Sequence, residues 1–188
     1  MKTTIEKTFV LQEPIAKVWI FLSDPAKIVG CVPGASLTER VDEKKYKGHV
    51  TTSFGPVKAS YNGIIEIIEL DSDQYTMTIN GKGIDSKGKG SAEMTMKGEL
   101  LASENETSVK FVMDISVVGM LAQFGSRLIK DVADQMLNQF ASNFKSLLAG
   151  NVVDNKINAA SMMGAVLKNK MSSLFEKDKP EEGNPNKE

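Results

Sequence analysis

A protein nucleophile needs a thiol, hydroxyl or amine beside a base that can take its proton. This chain holds one cysteine, Cys31, and one histidine, His49, so a thiol–imidazole pair can be assembled in only one way. His49 falls in an alternating segment whose parity directs it to the solvent face, away from Cys31. The two are not expected to react together. Tyr61 and Tyr46 carry hydroxyls that can donate to a carbonyl; bonding to backbone or water at a sheet edge is the plainer use, above all for Tyr46. Asp71, Asp73 and Asp85 are spaced as turn residues, and no His/Cys cluster has the spacing of metal ligands. Gly81, Gly83, Gly88 and Gly90 lack the following helix and the Lys-Ser/Thr signature of a phosphate-binding loop. No catalytic residue and no metal site is expected from these patterns.

Composition narrows the class further. The 188 residues suffice for one well-cored domain plus an appendage. A hydrophobic content of 41% with 25% charged residues is that of a soluble globular protein. A formal net charge of −1 argues against a general nucleic-acid binder. A lone cysteine excludes an internal disulfide and fits a reducing interior. Neither a signal peptide nor a membrane span is visible, so a cytoplasmic location is expected.

The elements that must position these residues follow from periodicity. Thr3–Leu11 alternates as a first strand. Pro14, placed at a first helical position, precedes an apolar stripe of Val18, Trp19, Phe21 and Leu22, and Asp24-Pro25 caps a second short helix ending at Pro33-Gly34. Six strands are expected over Ala35–Val41, Lys45–Phe54, Val57–Leu70, Gln74–Gly81, Lys87–Ala102 and Thr107–Val118. Their connections are short and rich in turn residues, which implies a meander of antiparallel neighbours. One face collects Tyr46, Ala59, Tyr61, Met77, Ile79, Met94, Met96, Phe111 and Met113; the other carries Lys58, Asn62, Glu66, Lys97, Lys110 and Asp114. From Gly119 to about Ala149 the period changes to that of one long helix. Its stripe reads Leu121, Phe124, Leu128, Val132, Met136, Phe140, Phe144 and Leu147, with Gly150 as terminator. The fold class is therefore α+β: a curved antiparallel sheet of seven strands, two short helices after the first, and a long C-terminal helix lying across the sheet.

This order resembles the helix-grip fold of the START-like (SRPBCC) superfamily. Three local strings narrow the likeness. They are Asp24-Pro25 leading to Cys31-Val32-Pro33-Gly34, then Gly55-Pro56-Val57-Lys58-Ala59, then Gly125-Ser126-Arg127-Leu128-Ile129. In this order they resemble the carbon monoxide dehydrogenase CoxG family over roughly Met1 to Ala149. The resemblance implies a non-catalytic companion of molybdenum-containing hydroxylases of the carbon monoxide dehydrogenase type. It further implies a role in maturing that enzyme or recruiting it to the membrane, and a lipophilic quinone or lipid held in the grip cavity. No other cofactor is implied.

A guest in such a fold occupies the space between the apolar sheet face and the long helix. Met77, Met94, Met96, Met113 and Met136 gather there, and methionine lines cavities that fit variable apolar guests as readily as it fills a core. Ala59, Tyr61, Ile79, Phe111, Leu128 and Val132 share that face. Ile28, Cys31 and Val32 are expected at one mouth, completed by Phe54 with Gly55-Pro56 and by Leu121 with Phe124.

Domain organisation reads as a helix-grip domain over 1–150, an amphipathic helical tail over 151–177 and a disordered end over 178–188. In the tail, Val153, Ile157, Ala160, Met163, Leu167, Met171 and Leu174 form a narrow apolar seam. It can pack on the domain, pair with a second copy in a homodimer, or lie on a lipid interface at the inner face of the membrane. Three lysines and one aspartate over Asn151–Phe175 give it a net charge of +2, enough only for weak membrane contact. Two other function classes share the architecture: an enzyme of the polyketide-cyclase or hydrolase kind, and a docking scaffold.

Overall fold

Alternation of apolar and polar residues dominates Ala35 to Val118, and it is realised as sheet. The computed structural model describes residues 1–54, 57–153 and 155, with only the backbone of Phe54 and Val57. The order is β1 (Lys2–Leu11), α1 (Ile15–Leu22), α2 (Pro25–Ile28) and a 3-10 turn (Val29–Cys31), followed by β2 (Ala35–Arg40), β3 (Lys45–Phe54) and β4 (Val57–Asp71). Then come β5 (Thr76–Asp85), β6 (Gly90–Ser103), β7 (Glu106–Gly119), a second 3-10 turn (Met120–Phe124) and α3 (Gly125–Leu148). The expected rim residues Gly55-Pro56, and the tail apart from residues 151–153 and 155, lie outside the described residues.

Strands β2 to β7 form the expected meander, and β1 returns to pair with β7. The result is one seven-stranded antiparallel sheet in the order β1-β7-β6-β5-β4-β3-β2. Turn chemistry sets the connections. Asp24 caps α2 by accepting from the Ala26 N–H at 3.0 Å. Asp71 accepts from the Asp73 and Gln74 N–H groups, both at 2.9 Å, and so reverses the chain between β4 and β5.

Several boundaries differ from expectation for identifiable reasons. Pro14 is the residue before α1 rather than its first helical residue: its ψ of 143° is extended, and its carbonyl accepts from Lys17 and Val18. β5 does not stop at Gly81 but runs on through Gly83 to Asp85, and the chain turns at Gly88 (φ 69°) instead. The long helix begins at Gly125, not Gly119. Gly119 and Gly125 have φ of 90° and 79°, which the interior of an α-helix does not accommodate, so Met120–Phe124 forms a separate 3-10 turn and Gly125 can only open α3.

Docking on the sheet sets the phase of α3. Ile129, Val132, Leu137, Phe140, Ala141, Phe144 and Leu148 are the buried positions, while Leu128 is only half-buried. The core under the C-terminal half of α3 is solid. Phe111 and Phe140 pack at 6.1 Å between ring centroids, and Phe140 stacks on Phe144 at 5.7 Å and 9°. Ile5, Leu11, Val18, Leu22, Leu100 and Val109 close around them. Phe144 is 0% exposed, so Phe144→Ala is expected to cost about 3–5 kcal/mol. Urea unfolding of the full chain measures this, and a loss below about 1 kcal/mol would show that the aromatic stack does not anchor the fold.

Candidate functional site

Beyond the aromatic end the interior opens. An apolar cavity of about 400 Å³ lies between the concave face of the sheet, the N-terminal half of α3 and the α2–turn segment. That volume is within the usual range of small-molecule sites.

Two features of the backbone keep it open. Gly48 pairs with Gly63, Gly63 with Gly83, and Gly83 with Ala92, so a row of the smallest residues crosses β3 to β6. Where that row runs, the sheet presents little or no side chain to the interior. The same glycines let neighbours lie flat. A Cβ on Gly83 would stand 3.2 Å from the Tyr61 Cβ, and one on Gly81 would stand 3.0 Å from Met94 Cγ. The ring and the thioether chain therefore drape over bare backbone.

Most of the residues expected around a guest do border this space. Ile28 and Val32 border it from the α2–turn segment, Tyr61 from β4, and Met77 and Ile79 from β5. Met94, Met96, Phe111 and Met113 add the faces of β6 and β7, and Leu121, Val132 and Met136 the helix side. Four expected residues do not border it. Cys31 is 1% exposed and packed in the core, with its carbonyl accepting from Asn143 Nδ2 at 3.1 Å. Ala59 is buried at 2% but lies apart from the cavity, Phe124 is 37% exposed, and Leu128 is turned aside by the phase of α3. The Phe54 side chain is outside the described residues. Ile129, Ala133 and Leu137 take the helix positions instead, and Val50, Ile65, Ile115 and Val117 join from the sheet. Strand alternation puts those four on the concave face, and Ala133 and Leu137 flank the helix's apolar stripe; Ile129 is the position that the stripe did not mark.

The nucleophile–base pair does not form. His49, itself one of the residues bordering the cavity, has its Nε2 at 3.5 Å from Thr51 Oγ1, which in turn bonds Ser60 Oγ at 2.9 Å. Burial pushes the Cys31 thiol up to about 11. It therefore stays protonated at neutral pH and is a poor nucleophile. At pH 8, iodoacetamide is expected to alkylate the folded chain at least about a hundredfold more slowly than the chain unfolded in guanidinium; equal rates would place Cys31 at the surface. The raised value also carries a sign for stability. Unfolded chains lose the thiol proton first as pH rises, so the contribution present at neutral pH is lost between the ordinary thiol range and about 11.

Tyr46 is buried with the Arg40 guanidinium 5.8 Å above its ring and does not border the cavity. Tyr61 does. Burial first, and the Asp85 carboxylate second, raise its phenol above the ordinary value, so it is a neutral hydroxyl. Among the described residues, no group of three or more His, Cys, Asp or Glu is placed to hold a metal ion, and no helix is long and apolar enough to cross a membrane.

A seven-stranded antiparallel sheet with a long terminal helix laid over an apolar hollow defines a START-like, helix-grip protein. Solved structures share it. A conserved protein from Geobacillus kaustophilus superposes with a TM-score of 0.68 at 25% identity, over 79% of this chain and 96% of that one. An aromatase/cyclase from Streptomyces sp. R1128 superposes at 0.57 with 12% identity, over 81% and 100%. Ara h 8.0201 does so at 0.51 with 16% identity, over 80% and 100%. No curated protein matches the sequence. The family model for the carbon monoxide dehydrogenase subunit CoxG matches residues 8–149, and the chain belongs to that family.

Proposed function

We propose that this chain is a non-catalytic carrier of a quinone- or lipid-like molecule. In this reading it serves a molybdenum hydroxylase of the carbon monoxide dehydrogenase type as an accessory or membrane-recruitment factor. The observation that carries the proposal is the apolar cavity of about 400 Å³ at the heart of a CoxG-family domain. Its walls are methionine, isoleucine, valine and phenylalanine, which suit an apolar guest of variable shape. The separation of Cys31 from His49, with the thiol held protonated, supports binding over turnover. In this reading the protein works in the cytoplasm, at the inner face of the membrane, and delivers or receives its guest there.

Native mass spectrometry of the purified full-length chain tests the proposal. An adduct of one small apolar molecule per chain is expected, removed by organic-solvent extraction and restored by adding a quinone. A chain that carries no adduct and takes up none on addition is not a carrier. The cyclase reading of the same fold makes a different demand: Tyr61→Phe must abolish turnover of an aromatic polyketide or ester.

A further inference from the structure

We propose that Thr52 and Tyr61 form the polar end of the cavity and select an uncharged guest bearing a carbonyl acceptor over a carboxylate-headed lipid. This rests on the carrier reading and refines it. Thr52 (8% exposed) and Tyr61 (7% exposed) both border the cavity, in walls that are otherwise almost wholly apolar. Val50 pairs with Tyr61 and Thr52 with Ala59, so the two hydroxyl residues are diagonal neighbours on one sheet face. Diagonal neighbours stand about 7–8 Å apart, close enough for one small polar group to lie between their side chains.

Neither hydroxyl has a strong protein partner. Thr52 Oγ1 donates to the Met136 thioether at 3.6 Å, and sulfur is a weak acceptor. Among the described residues nothing hydrogen-bonds the Tyr61 hydroxyl, and no fully buried side-chain oxygen lacks a partner, so this oxygen reaches accessible space. A carbonyl oxygen would accept from Tyr61, and from Thr52 once Met136 swings aside.

The charges nearby disfavour an anion. Lys82 and Glu93 both border the cavity. Their charged ends pair with each other at 3.6 Å on the outer face, 71% and 60% exposed. Asp85 is the cross-strand partner of Tyr61, and the Lys87 and Lys89 N–H groups fix its carboxylate at 3.0 and 3.1 Å. A carboxylate head beside Tyr61 would therefore meet a fixed negative charge, while Lys82 is already paired with Glu93.

Equilibrium dialysis of the full-length chain at pH 8 tests this with three probes built on one ring system: 2-ethylnaphthalene, 2-acetylnaphthalene and 2-naphthoate. The ketone is expected to bind about a hundredfold more tightly than the naphthoate, because an ionised carboxylate is costly to bury without a partner. Tyr61→Phe should weaken the ketone about three- to tenfold and leave ethylnaphthalene within about twofold, and Thr52→Val should act in the same direction. Unchanged thermal midpoints show that both variants fold. Naphthoate binding as well as the ketone, or Tyr61→Phe weakening ketone and hydrocarbon alike, overturns the assignment while leaving the carrier reading intact. Binding of none of the three probes overturns both.

Discussion

Ala92→Phe is expected to abolish guest binding while the protein still folds. Ala92 is the last member of the small-residue row, paired on one side with Gly83 and on the other with Val117, and its methyl borders the cavity. Nothing projects from Gly83 to contest the space, so a phenyl ring enters the void rather than a packed neighbour. Occupying part of about 400 Å³ leaves no room for a guest that needs most of it. The affinity for a prenylated naphthoquinone large enough to fill the cavity should fall at least about a hundredfold, which corresponds to about 3 kcal/mol. The melting temperature should hold or rise, since filling an apolar void adds contacts. Equilibrium dialysis and a thermal melt read the two effects separately. A folded variant that binds as before would show that guests do not enter from this side of the sheet.

Gly63→Ala is expected to destabilise the fold more than any other substitution in the glycine row. A Cβ there would collide with the Lys82 carbonyl oxygen and stand 2.9 Å from Gly83 Cα. Both atoms belong to the backbone of the adjacent strand and cannot rotate away. The added methyl must push β4 and β5 apart at the centre of the sheet and break ladder hydrogen bonds on either side. Overpacking of this kind costs about 3 kcal/mol or more, a large share of the roughly 5–15 kcal/mol typical of a whole domain. The contrast with Gly83→Ala is informative, because that methyl would meet the Tyr61 side chain at 3.2 Å, which has more freedom to yield. Urea midpoints of the two variants should rank Gly63→Ala as clearly worse. Equal midpoints would mean that the glycine row is not a site of close backbone approach.

The two halves of the interior differ in kind. Under the C-terminal half of α3, stacked and tilted phenylalanines fill the space with rigid rings, and burial there approaches completeness. Under the N-terminal half, glycines thin the sheet and methionines line what remains. Stability concentrated at one end leaves the other free to be hollow, which is why a binding variant such as Ala92→Phe and a stability variant such as Phe144→Ala should separate cleanly.

The segment after α3 belongs with the domain at least as far as Asn155. Gly34 N–H donates to the Asn155 carbonyl at 2.9 Å, Asn155 Nδ2 donates to the Ala35 carbonyl at 3.1 Å, and Val153 packs on the core. These bonds fasten the turn that carries Val32, a cavity residue, to the chain leaving the long helix.

Period-two alternation and turn residues such as Asp71 and Asp85 determined the strands, their antiparallel succession and which side chains share a face, because these are properties of a few consecutive residues. The three CoxG-like strings were equally legible. What needed the tertiary structure was every feature that depends on residues distant in the chain. The return of β1 to β7 joins Lys2–Leu11 to Thr107–Ser116, and nothing local to either strand specifies the other. The phase of α3 was set by its docking on the sheet, which leaves Leu128 half-buried and buries Ile129. The cavity itself was decided last. Gly48, Gly63, Gly83 and Ala92 look like scattered weak points along four strands, and only register aligns them into one thin band. Side-chain parity reports which face a residue occupies; whether that face is filled depends on the volumes that the fold sets opposite one another.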